Sequence, residues 1–165
     1  MERVDRIAKV RELLEGGAGE ALPGSAAERY LPLVTLDSGA RVGLDREAHW
    51  VIVPDDGRAP VRWSEGAAHL FHEPLEWKRA RFDDAVEDAA RALGLPAEDV
   101  LFSFPVTEIV RAVLAKEQPY MTRLALEWLR TTDLRALRRE ILAVLKQDNM
   151  PVPVKDLAQR LVVPE

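Results

Sequence analysis

The chain has 165 residues, 47% hydrophobic and 31% charged, with a net charge of −5. This is the composition of a folded protein, and its acidic balance argues against general nucleic-acid binding, which draws on a basic excess. Cysteine is absent, which excludes disulfides, thiolate metal sites and a cysteine nucleophile.

The length suits one domain or two small ones, enough to bury roughly two-thirds of the unfolded surface. The longest apolar runs, such as Trp50-Val-Ile-Val53, fall far short of a membrane span. The opening MERVDRIAKVRELLEG lacks the apolar core of a signal peptide, so a cytoplasmic location is the default expectation. Arginine outnumbers lysine 18 to 5, and alanine and proline are plentiful. These residues have GC-rich codons, so a bacterium with a GC-rich genome is the expected source.

In chain order, 3–15 predicts a helix, with Val4, Ile7, Val10 and Leu14 at three- and four-residue steps, closed by Gly16-Gly17. GGAGEALPGSAA reads as a loop. It is no phosphate-binding loop, because no strand precedes it and no Lys-Ser or Lys-Thr follows at the required spacing. Residues 31–63 read as a β-meander of about four strands, LPLVTL, ARVGL, HWVIV and APVRW, with turns at Asp37-Ser38-Gly39 and Pro54-Asp55-Asp56-Gly57. Pro32 lacks an amide donor, so the first of these strands belongs at a sheet edge. Trp50 and Trp63 are expected opposite one another, as a cross-strand pair.

SEGAAHLFHEP follows, and its His69-Leu-Phe-His72-Glu73 brings two imidazoles and a carboxylate within five residues. A zinc site needs three or four ligands converging at ~2 Å, and His49 is the only further histidine. The order H-x-x-H-E matches neither H-E-x-x-H nor H-x-x-E-H, and Pro74 ends the segment at once. The stretch reads as a turn capped by Ser64 whose Leu70 and Phe71 pack against the meander. The alternative, a small metal-dependent enzyme or metal-binding protein, would use His49, His69 and His72.

From Arg79 onward the pattern is helical. Phe82, Val86, Ala89 and Leu93 form a stripe ended by Gly94 and Pro96. Regular ladders then run Val106-Ile109-Val110-Val113-Leu114, Met121-Leu124-Ala125-Trp128-Leu129 and Val154-Leu157-Ala158-Leu161-Val162. Another helix carries Leu134, Leu137, Ile141, Val144 and Leu145, and Pro105, Pro119 and Pro153 stand at helix starts. Each helix has one apolar face and must stack on others or on the sheet. The last pair, WLRTTDLRALRREILAVLKQ and MPVPVKDLAQRLV, resembles the closing pair of a HEAT-type array over about the final 45 residues. Two amphipathic helices, the second opened by proline, carry the likeness. The step from Val106 to Asp133 is 27 residues, shorter than the ~40 of a HEAT unit. The resemblance implies a surface for protein partners.

None of the serines at 25, 38, 64 and 103 lies in a G-x-S-x-G elbow. Asp83, Asp84, Glu87 and Asp88 read as first-turn acids favoured by the helix dipole. Arg130, Arg135, Arg138 and Arg139 crowd one helix of an otherwise acidic chain, where a solvated face or a patch for an acidic partner would place them. These readings predict an α+β fold. Residues 1–78 would hold the helix and meander and 79–165 the helical region, packed as one unit. The expected function is non-catalytic protein binding, as an adaptor, regulatory subunit or toxin-neutralising immunity protein, through Arg130, Arg135, Arg138 and Arg139. No cofactor, membrane or nucleic-acid partner is expected.

Overall fold

In a computed structural model, which describes residues 3–25 and 27–163, the first helix is α1 (Arg3–Glu15). Val10 and Leu14 are buried and Ile7 is half-buried, while the side chain of Val4, expected on the same stripe, lies outside the described residues. Gly17 adopts φ +92° just past the helix, a backbone that favours glycine.

The fold is α+β, and its sheet has five antiparallel strands in chain order. They are β1 (Glu20–Ala21), β2 (Arg29–Thr35), β3 (Arg41–Leu44), β4 (Trp50–Val53) and β5 (Val61–Arg62). β1 falls in the stretch read as a loop, because two residues are too few to show alternation. It makes β2 an inner strand and not the edge strand expected, though it pairs with Arg29 and Tyr30 alone and leaves Pro32 uncovered on that side. On the other side β2 shifts register against β3 between Pro32 and Val34. Gly43 faces this bulge. A Cβ there would stand 2.1 Å from the Leu31 carbonyl oxygen, so only glycine fits.

Trp50 and Trp63 do lie opposite, with the Trp63 amide donating to the Trp50 carbonyl at 2.8 Å. Each ring nevertheless meets a phenylalanine edge-on: Phe104 for Trp50, at 5.0 Å, and Phe71 for Trp63, at 5.3 Å. Ser64 precedes a 3-10 turn over Glu65–Leu70, but its side chain makes no capping hydrogen bond. Phe71 is fully buried, whereas Leu70 is exposed.

The chain divides into two compact units. The first comprises Met1–Phe71 and Ala80–Phe104. Here Phe82, Val86 and Ala90 of α2 (Arg79–Ala92) are buried. The acids at 83, 84, 87 and 88 fall after the first turn, which carries none, so the expected favourable contact with the helix dipole does not arise. A six-residue helix, α3 (Ala97–Phe102), was not anticipated. It is tied to α1 by Arg6, whose guanidinium donates to Asp99 at 2.7 Å. Ser103, just past α3, accepts the Trp50 indole N–H at 3.1 Å.

The second unit comprises His72–Arg79 and Pro105–Glu165. It holds α4 (Val106–Leu114), α5 (Pro119–Trp128), α6 (Thr131–Val144) and α7 (Val152–Val162), whose apolar faces pack together. Ile109, Val110, Ala125, Leu137, Ile141, Val144 and Ala158 are fully buried. The approach to Arg79, a 3-10 turn over Glu73–Glu76 followed by Trp77, is stapled to this core. Trp128 donates its indole N–H to the Trp77 carbonyl at 2.7 Å. Tyr120 donates to Glu76 at 2.6 Å, and that bond raises the phenol's pKa above its ordinary 10.0 by favouring the neutral form. Among the described residues no helix is long and apolar enough to cross a membrane.

Two substitutions check these packings. Gly43→Ala is expected to lower the midpoint of thermal unfolding by at least several degrees, equivalent to more than ~1 kcal/mol for a chain of this size. An unchanged midpoint would contradict the close approach at Leu31. Val110→Asp buries an unpaired carboxylate at a cost of several kcal/mol, comparable with a whole stability of ~5–15 kcal/mol. Circular dichroism should show loss of helix in that variant at room temperature.

Candidate functional site

α6 is built so that its charged face cannot turn inward. The chain enters it extended at Arg130 (φ −105°, ψ 164°), and Asp133 accepts the Arg130 amide at 2.9 Å. Arg79 grips the same carboxylate at 2.6 Å and also donates to the Trp128 carbonyl at 2.8 Å. Beyond this first turn Leu137, Ile141 and Val144 are wholly buried, and Leu134 and Leu145 half-buried. Helical geometry then sends Arg135, Arg139, Leu142 and Lys146 outward, since they recur at steps of three and four on the opposite side.

These four residues, with Arg138, Ala136 and Ala143, line an open hollow of about 560 Å³. Three of the four arginines singled out in the sequence thus share one face. Arg130 is not among the lining residues and stands at the helix start. Lys146 and Leu142 were missed, although the same three- and four-residue step from Arg135 and Arg139 leads to both. Leu142 is 36% exposed, an apolar side chain among cations.

The arginines of this face are not equivalent. Arg138 donates to the Val162 carbonyl at 3.0 Å, at the C-terminal end of α7, where the helix dipole favours a cation. The side chains of Arg135, Arg139 and Lys146 have no hydrogen bond or ion pair with any described residue, and among the described residues no acid lines the hollow. A hollow of about 430 Å³ in the first unit makes the contrast. It is lined by Arg11, Arg29, Arg46 and Arg62 but also by Glu15, Glu28 and Glu47. There Arg11 meets Glu47 at 2.5 Å, Arg46 meets Glu15 at 3.9 Å, and Arg62 pairs with Glu28. Arg29 is spent on the carbonyls of Gly17 and Gly19, at 3.3 and 2.6 Å. In this cluster every arginine has a partner within its own unit. The other keeps its charge.

His49, His69 and His72 are all exposed. Among the described residues no group of three or more histidine, aspartate or glutamate side chains is placed to hold a metal. Buried Asp45 was also missed. Its Oδ1 accepts the amides of Glu47 and His49, each at 2.9 Å, which shapes the β3–β4 turn, and its Oδ2 lies 3.5 Å from Arg62. It is a structural carboxylate. No protein-family model matches the chain, and neither a curated protein nor a solved structure matches it.

If Arg135 and Arg139 are spectators of folding, reversing both to glutamate should alter stability by only ~0.5 kcal/mol each. Arg79→Ala should cost several times more, because it leaves the largely buried Asp133 carboxylate without its cation. Denaturant melts of the two variants check this. Comparable losses in both would show that the outer arginines have internal partners.

Proposed function

We propose that this protein is a non-catalytic protein-binding module of the bacterial cytoplasm, an adaptor, a regulatory subunit or a toxin-neutralising immunity protein, and that it engages an acidic partner through the outer face of α6. The observation that carries this reading is the set of cations at Arg135, Arg139 and Lys146, unpaired among the described residues on a chain of net charge −5. Arginine's planar fork suits carboxylates and forms paired hydrogen bonds with them. Rim charges of this kind chiefly set association rate and partner choice, and their effect is screened by salt.

The test is affinity capture from the source organism with the wild-type chain and with R135E/R139E, read by mass spectrometry. An acidic protein should be retained by the wild type, lost from the double variant, and released as salt is raised. Equal recovery with both chains would contradict the role of this face. Elemental analysis separates the module from a metal-dependent enzyme: about one zinc per chain, lost in H69A/H72A, would overturn the non-catalytic reading.

A further inference from the structure

The outer face of α6 carries more information than its charge. Arg135, Arg139 and Leu142 of α6 and Lys146, in the turn just past its end, follow one another at steps of four, three and four, so they form one stripe. At a rise of 1.5 Å per residue that stripe is roughly 16 Å long. Ala136 and Ala143 line the same hollow seven residues apart, so small side chains recur two turns apart beside the long ones. A row of long side chains flanked by small ones is the relief into which a second helix settles, ridge into groove.

We infer that the occupant of this face is an acidic amphipathic helix of the partner, laid along α6. Its carboxylates stand one turn apart, opposite Arg135 and Arg139, with an apolar side chain between them and a further acid, seated on Leu142. Three observations favour this occupant. Arg135 and Arg139 lie one turn apart on α6, so their spacing matches carboxylates that are themselves one helical turn apart. Leu142 interrupts the charges, which a uniformly charged polymer such as a nucleic-acid backbone would leave uncovered. Finally, among the described residues no acid lines the hollow to compete with the incoming carboxylates. Helix-in-groove docking of this kind is read through anchors at three- and four-residue steps.

The inference rests on the proposed acidic-partner reading, and its test separates the two. Three probes are titrated into the isotope-labelled full chain and followed by heteronuclear NMR. The first is a capped peptide whose glutamates and single leucine recur at three- and four-residue steps. The second is a peptide of identical composition, scrambled so that no helical face forms. The third is a short RNA duplex. The patterned peptide is expected to bind at least about tenfold tighter than the scrambled one. Its shifts should centre on residues 135–146 and disappear in R135E/R139E.

Equal binding of the two peptides at α6 would overturn the helical occupant and leave the acidic-partner reading standing. Binding by the duplex at α6 with neither peptide engaged would overturn both. Failure of all three probes would do the same, as would shifts that survive in the double variant.

Discussion

One guanidinium determines how the helical unit is assembled. Arg79 reaches the last-turn carbonyl of α5 and the first-turn carboxylate of α6 at once, at 2.8 and 2.6 Å. Its side chain and that of Asp133 are mostly withdrawn from water, at 16% and 14% exposure. In such surroundings a charge-assisted pair is strong, and losing either member strands the other in a poorly solvated site. The corner between α5 and α6 is therefore defined from outside both helices. The same Asp133 holds the Arg130 amide, so the point at which α6 begins is set by a carboxylate that Arg79 keeps in place. Fixing the start of a helix fixes the direction of every later side chain. The outward aim of Arg135, Arg139 and Lys146 follows from this corner together with the burial of Leu137, Ile141 and Val144.

Arginine accordingly appears in three settings in this molecule. Arg6 on Asp99, Arg79 on Asp133 and Arg138 on the end of α7 join elements distant in sequence. Arg11, Arg46 and Arg62 pair with glutamates on their own unit's surface, where the exposed pairs contribute little. The outer face of α6 instead concentrates cations with no acid among its described lining residues. The distinction rests on surroundings, because the residue type is the same throughout.

Much of the architecture was legible because repetition announces itself. The ladders of α4, α5 and α7 needed only the helical period, and Gly17 and Gly39 marked real chain reversals with φ of +92° and +88°. Short elements were not legible. β1 is two residues long and α3 six, and each depends on tertiary contacts: the pairing of Glu20 with Tyr30, and the grip of Arg6 on Asp99. Ser64 had the composition of a cap, yet backbone bonds alone close its turn. A hairpin tip at Pro54-Asp55-Asp56-Gly57 puts Trp50 and Trp63 opposite, but strand spacing could not foresee Phe104 and Phe71, which arrive from other segments. At the candidate site the density of arginine was visible in the chain. That Arg138 is committed to Val162, while Arg135 and Arg139 have no partner among the described residues, depends on where α7 ends.

The central claim is that arginines of one chemical type are divided between internal clamps and an outward face. Nuclear relaxation and proton exchange at individual guanidinium groups measure that division most directly. The account predicts restricted rotation and slow exchange for Arg6 and Arg79, little altered by salt, with rapid rotation and fast exchange for Arg135 and Arg139. Guanidiniums at 135 and 139 as restrained as that of Arg79 would mean that they already have partners within the chain, and the account would fail.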